Sequence, residues 1–117
     1  MFDFGDIVFV SFPFSDLAGV KVRPALVVSC DNERRVDIIL AFISSRSHLA
    51  SLPDAMPMAT TAENGLKTSS IVRFDKLVTL EKRLVLGECG KVSPVWLKSA
   101  AKVFRGVFGF EKYEVEP

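Results

Sequence analysis

The chain has 117 residues, of which 49% are hydrophobic, and its 15 basic and 14 acidic side chains leave a formal net charge of +1. This length allows one domain over residues 1–117, because two independent cores would each fall near the lower size limit for stable folding. The near-neutral charge excludes a strongly basic nucleic-acid-binding domain, and the chain lacks an apolar run long enough to span a membrane.

The first 45 residues contain three apolar runs of strand length, at residues 7–12, 25–28 and 36–43. The polar turn at residues 15–19 follows the first run, and a charged tip at residues 31–35 joins the second to the third. Short apolar runs bounded by such turn residues are typical of β-strands. We therefore predict three consecutive strands.

The middle of the chain continues in the same way. A short strand is predicted at residues 56–60, a turn at Asn64-Gly65, and further strands at residues 70–74, 78–80 and 84–86.

The period of the apolar residues changes after Ser93, which precedes Pro94 as an N-cap precedes the first helical position. An amphipathic stripe follows at Leu97, Ala100, Ala101, Phe104 and Phe108. A second set, Trp96, Val103 and Val107, lies off this stripe and is expected to meet a partner chain. Short strands and a terminal helix predict an α+β fold, most simply a small SH3-like β-barrel with a C-terminal helix.

Two cysteines and one histidine occur without the spacing of metal ligands, so neither a disulfide scaffold nor a metal site nor another cofactor is predicted. Cys30 and Cys89 each end an apolar run, where we expect a reduced and buried thiol. The N-terminus lacks the pattern of a secretory leader, and a cytoplasmic protein is expected.

Arg23 stands directly before Pro24, and this proline favours an extended backbone at the arginine. Ser44 and Ser45 close the third apolar run. In a small barrel, strand ends share a rim, so a guanidinium and a hydroxyl can face one pocket. The guanidinium suits a phosphate and the extra charge of a phosphorane. The alternative is a surface arginine beside loop-capping hydroxyls.

Arg73 and Asp75 stand at i and i+2 on a predicted strand and so project to one face. They form either a solvated ion pair, worth under ~1 kcal/mol, or a site in which the carboxylate accepts a 2′-hydroxyl proton. Ser45, His48, Lys21 and Lys76 are expected to bind substrate. A basic strip comprises Lys67, Arg73, Lys76, Lys82 and Arg83.

Four motifs in order, at residues 5–8, 23–29, 70–77 and 86–87, resemble the PemK/MazF family of toxin endoribonucleases. The resemblance extends from Gly5 through the helix after Ser93. It implies a metal-independent enzyme of a type II toxin–antitoxin system that cuts single-stranded RNA, mostly mRNA. The products would carry a 2′,3′-cyclic phosphate and a 5′-hydroxyl. A homodimer and a cognate antitoxin bound to it are the implied partners.

The same resemblance assigns site residues. Arg23 is implied to be catalytic, and Ser44 stands where the family usually has threonine. Arg73 and Asp75 match a V-R-x-D motif whose two charged residues act as acid and base. The loop at residues 15–22 lacks the histidine that this branch of the family carries.

Three functions stay open at this stage: an endoribonuclease toxin, a non-catalytic binding module like the gyrase-poisoning relatives of this fold, and a degenerate toxin without activity. Fold alone does not separate them. Four phosphate-suited groups favour the enzyme, since a pure binder does not need them.

Overall fold

The computed structural model describes residues 2–12, 21–30, 32–46 and 51–110. They form one curled six-stranded antiparallel sheet and a C-terminal helix, in the sheet order β4-β5-β3-β2-β1-β6. The elements are β1 (Asp6–Phe12), β2 (Lys21–Val27), β3 (Asp37–Ser44), β4 (Ala55–Met58), β5 (Ser70–Glu81), β6 (Gly87–Lys91) and α1 (Pro94–Val107). The predicted fold class is confirmed.

Both faces of the sheet are covered, because the sheet curls and the helix packs on one side. The first core cluster lies between the sheet and the helix. The buried residues of this cluster are Ile7, Leu26, Ala41, Ile43, Met58, Val72, Phe74 and Ala100. The second core cluster lies on the opposite face of the curled sheet and contains Val8, Val10, Ala25, Val27, Ile38 and Leu40. Burial on both faces explains why the first three strands are continuous apolar runs in the sequence.

The second half of the sheet differs from the strand predictions. Residues 70–74 and 78–80 belong to one strand, β5, whose pairing with β3 shifts register between Ala41 and Phe42. The strand predicted at residues 84–86 is wrong: Lys82–Leu84 forms a short 3-10 turn, and β6 follows at Gly87–Lys91. β6 contains glycine and lacks an apolar pattern, because another backbone segment approaches it closely and side-chain burial does not determine its sequence.

That close approach is the docking of the β4–β5 loop on β6. The Lys91 N–H donates to the Glu63 carbonyl at 2.8 Å, and the Cys89 Sγ contacts the Asn64 carbonyl oxygen at 3.3 Å. A Cβ at Gly90 would collide with the Glu63 carbonyl oxygen. The loop therefore brings the two ends of the curled sheet together.

The helix begins as predicted, with the Ser93 Oγ accepting the Trp96 N–H at 3.1 Å and Pro94 in the first turn. Trp96, Val103 and Val107, which lie off the predicted stripe, are partly buried and pack against the first core cluster. That they also meet a partner chain stays a prediction. The Trp96 indole also donates to the Pro57 carbonyl at 2.8 Å. A helix against a concave sheet buries more than one stripe of its surface.

Both cysteines are free thiols, but only one environment matches its prediction. Cys89 is half-buried, whereas Cys30 is exposed. Burial raises the pKa of the Cys89 thiol. None of the helices in the described ranges is both long and apolar enough to cross a membrane.

Candidate functional site

A cavity of about 560 Å³ opens where β2 and β3 separate. Their paired positions stop at Ala25 and Phe42, although β2 begins at Lys21 and β3 runs on to Ser44. The volume of the cavity is in the range of pockets that bind small molecules. The lining residues are Phe9, Lys21, Val22, Arg23, Pro24, Ile43, Ser45, Gly65, Leu66, Lys67, Thr68, Ser70 and Cys89.

The charged part of this lining is entirely positive among the described residues: Lys21, Arg23 and Lys67 line the cavity, and no carboxylate does. The first two come from β2 and the third from the β4–β5 loop, so the cations stand on two walls. Lys21, Arg23 and Lys67 are all exposed. A concave surface of this kind attracts an anion and raises its local concentration.

The rest of the lining combines apolar side chains with hydroxyls. Phe9 and Pro24 are paired across β1 and β2 and lie beside Ile43 and Leu66. Hydroxyls come from Ser45, Thr68 and Ser70. The cavity thus offers cations for a phosphate, apolar surface for a ring and hydroxyls for polar ring edges.

The strand register places the predicted catalytic residues on one face of the sheet. Ala25, Phe42 and Arg73 are directly opposite one another on β2, β3 and β5. Arg23 is two residues from Ala25, and Ser44 is two residues from Phe42, so both share that face. Ala25 and Arg73 are separated by two strand spacings, about 10 Å, and Arg23 lies two residues further along β2.

The two serines have different surroundings. Ser45 is exposed and lines the cavity with Arg23, whereas Ser44 is outside its lining. The half-buried Ser44 accepts the Arg46 N–H at its Oγ, at 3.2 Å. By strand alternation Ser44 is on the sheet face of Arg23 and Arg73, whereas Ser45 follows the last residue of β3 and lines the cavity together with Arg23.

Arg73 and Asp75 form a bidentate ion pair. The Arg73 Nε donates to Asp75 Oδ1 at 2.8 Å, and Nη2 donates to Oδ2 at 2.6 Å. The hydrogen bonds from Arg73 lower the pKa of Asp75, and the same bonds raise the pKa of Arg73. At neutral pH the carboxylate is therefore ionised, and each of its oxygens already accepts one hydrogen bond.

The remaining predicted binding residues lie apart from this arrangement. Lys76 is exposed and outside the cavity lining, and His48 lies outside the described residues. Two residues of the basic strip already have partners within the chain. Arg83 pairs with Glu81 at 2.7 Å, and the Lys82 Nζ donates to the Asn32 carbonyl at 2.9 Å.

The sequence prediction missed the second wall of the cavity, formed by Gly65, Leu66, Lys67 and Thr68. The turn signal at Asn64-Gly65 pointed to a loop but carried no information on where the loop docks. Over the described ranges, His, Cys, Asp and Glu residues form no cluster of three or more that could hold a metal ion.

Comparison with known proteins gives one family and one fold. A family model described as "PemK-like, MazF-like toxin of type II toxin-antitoxin system" matches residues 3–108. A comparison with curated protein sequences gives no match.

Solved structures with a similar fold include an endoribonuclease in complex with its cognate antitoxin from a mycobacterial species. The identity is 20%, over 93% of this chain and 96% of that chain, with a TM-score of 0.71. The toxin MazF-mt6 of Mycobacterium tuberculosis is 20% identical over 88% and 95%, with a TM-score of 0.69. MazE-MazF of Deinococcus radiodurans is 21% identical over 92% and 95%, with a TM-score of 0.70. At these identities the likeness shows the fold alone.

Proposed function

The chain belongs to the PemK-like, MazF-like family of toxins of type II toxin–antitoxin systems, and we propose that it is a metal-independent endoribonuclease that cleaves single-stranded RNA. The observation that carries this proposal is the cavity between β2 and β3. Its described lining contains three cations, three hydroxyls and no carboxylate. Such a lining fits the polyanionic backbone of RNA together with its bases.

In the proposed reaction the 2′-oxygen of one nucleotide attacks the adjacent phosphorus. The bond from the 2′-oxygen to phosphorus forms, the bond to the 5′-oxygen breaks, and a 2′,3′-cyclic phosphate and a 5′-hydroxyl result. Arg23 stabilises the additional negative charge of the phosphorane by a bidentate contact. The Ser44 hydroxyl donates to a non-bridging oxygen, and Lys21 and Ser45 hold the flanking RNA.

Protons move through the Arg73–Asp75 pair. Asp75 accepts the proton of the 2′-hydroxyl, and Arg73 gives a proton to the leaving 5′-oxygen. The hydrogen bonds between the two side chains then return the proton from the acid to the guanidinium. A bound phosphate competes with Asp75 for Arg73, which weakens the pair and makes the carboxylate a stronger base.

The proposed partners follow from the same cavity and from the related structures. One relative is described in complex with its cognate antitoxin, and another structure is of MazE-MazF. We propose that an acidic and apolar segment of an antitoxin occupies the cationic cavity and excludes RNA. We also propose a homodimer, which would place two cavities along one extended strand of RNA.

The test is incubation of the protein with a long single-stranded RNA in EDTA, followed by mapping of both new ends. Arg23→Ala is the control for contaminating nucleases. Cyclic phosphate and 5′-hydroxyl ends that disappear with this variant support the proposal. Intact RNA in the presence of folded wild-type protein overturns metal-independent cleavage, and cleavage restored only by a divalent cation would require a metal in the mechanism.

A further inference from the structure

The second wall of the cavity is a loop held in one conformation by a buried asparagine. Asn64 is only 2% exposed. Its Oδ1 accepts the N–H groups of Thr61 at 3.1 Å and Leu66 at 3.0 Å, and its Nδ2 donates to the Ala59 carbonyl at 2.9 Å. One side chain thus joins both sides of the turn, so the residues that follow it emerge in a defined direction.

Two glycines attach this turn to β6. Gly65 has a φ of +69°, and a Cβ there would collide with the Cys89 carbonyl oxygen. A Cβ at Gly90 would likewise collide with the backbone of Glu63 and Asn64. Backbone-to-backbone contact of this kind leaves little freedom for the loop. The wall is therefore preorganised, which lowers the entropic cost of binding a ligand against it.

The side chains that this wall presents are available for a ligand. Lys67 and Thr68 are exposed and line the cavity, and within the described part of the chain neither side chain has a hydrogen-bonding or ionic partner. Leu66 is half-buried beside them. A cation, a hydroxyl and an apolar side chain in succession match the phosphate, the polar edge and the face of one nucleotide.

We propose that residues Asn64–Thr68 form the nucleotide-selecting wall of the cavity and hold one unstacked nucleotide of RNA next to the cleaved bond. Lys67 binds a phosphate from the side opposite Arg23. Leu66 and the apolar floor at Phe9 and Pro24 contact the base, and the Thr68 hydroxyl bonds to its edge. This inference rests on the proposed function, because it assigns a subsite to the same RNA.

The experiment uses two variants with matched controls. Lys67→Met and Thr68→Val remove the charge and the hydroxyl at nearly constant size. Lys98→Met on α1 and Thr79→Val on β5 make the same changes at exposed positions outside the cavity lining. Cleavage of a random-sequence RNA pool gives the base preference at each position, and fluorescence anisotropy with a 2′-O-methyl oligonucleotide gives affinity without cleavage.

We expect Thr68→Val to change the preferred base at one position next to the cut, while Thr79→Val leaves the preference unchanged. Lys67→Met is expected to weaken oligonucleotide binding and to lower the slope of log affinity against log salt by about 0.7, as for one lost phosphate contact. An unchanged base preference in Thr68→Val, or an unchanged salt slope in Lys67→Met, overturns the proposal.

The two readouts separate this inference from the proposed function. If the wild-type protein cleaves RNA and both variants behave like their controls, the nucleotide-selecting wall is contradicted and the proposed function is not. Wild-type protein that binds the oligonucleotide through Lys67 but leaves RNA intact contradicts the enzyme and supports the wall. Loss of affinity only for the cognate antitoxin would assign the wall to protein recognition and overturn the proposal.

Discussion

Arg73 and Asp75 form a two-point ion pair along a single strand, β5, with donor–acceptor distances of 2.8 and 2.6 Å. Their side chains are 16% and 31% exposed, so the pair is only partly screened by water. Asp75 stands where β5 and β3 lose register. Because residues at i and i+2 of a strand project to the same face, the carboxylate and the guanidinium lie side by side.

Asp75→Asn tests both roles of this pair. We expect cleavage to lose most of kcat, because the amide does not accept the 2′-hydroxyl proton. We also expect the free energy of unfolding at pH 7 to fall by up to about 1 kcal/mol, the upper range for an exposed pair. Asp37→Asn, at an exposed position of β3, is the matched control.

The pH dependence of stability has a defined sign. The pKa of Asp75 is lower in the folded than in the unfolded protein. Its stabilising effect is therefore complete above the unfolded pKa of about 3.9 and is lost as the pH falls through the folded pKa. Urea denaturation of wild type and Asp75→Asn should differ at pH 7 and converge once the pH is below the folded pKa of Asp75. A difference that persists in acid would mean that the variant perturbs packing.

Arg23→Ala should reduce kcat by about 10²-fold to 10³-fold, the usual cost of removing one preorganised donor to a transition-state oxyanion. The thermal stability should change little because Arg23 is exposed. Arg23→Lys should also perform poorly, since an ammonium does not make the two-point contact. Arg105→Ala on α1 is the control. Wild-type kinetics in Arg23→Ala would leave this arginine a structural role only.

Ser44→Ala and Ser45→Ala are expected to affect different kinetic constants. Ser44 shares the sheet face of Arg23 and Arg73, so its loss should lower kcat. Ser45 lines the cavity, so its loss should mainly raise KM. Ser44→Thr should retain activity because it keeps the hydroxyl. If Ser45→Ala instead abolishes kcat, the reacting phosphate lies beside Ser45 rather than Ser44.

Three glycine-to-alanine variants test how the loop is attached to β6. Gly65→Ala and Gly90→Ala should each destabilise the fold, because the new Cβ meets the backbone of the opposing segment. Gly87→Ala is the control on the same strand, where a Cβ meets nothing within 4 Å. Denaturant midpoints of the three proteins measure the effect. Equal midpoints would show that the contact between loop and strand yields without cost.

Sedimentation at micromolar concentration should give twice 12.9 kDa if the proposed homodimer forms. Several large apolar side chains remain exposed on the single chain, including Val95 at 77% and Val36 at 68%. A dimer would cover such residues. A monomer that cleaves RNA would show that one chain contains the complete site.

Interactions between residues that are close in the sequence determine several strands and the helix start of this protein, so these features follow from the sequence alone. The turn residues and apolar runs predict the first three strands, and Ser93 with Pro94 predicts the helix start. The period of two along a strand places Arg73 and Asp75 on one face. Each of these features depends on residues within a few positions of one another, so a single sequence contains them.

Tertiary structure decided the features that join distant segments. The cavity exists because β2 and β3 separate and because the loop at Gly65–Thr68 docks on β6. The hydrogen bond from Lys91 to Glu63 spans 28 positions, and no local pattern marks either partner. Trp96 likewise packs against the first core cluster, although the sequence pattern places it off the apolar stripe, since the sheet curls toward the helix. Strand curvature and loop docking depend on the whole core, which is why the second wall of the cavity emerged only from the folded chain.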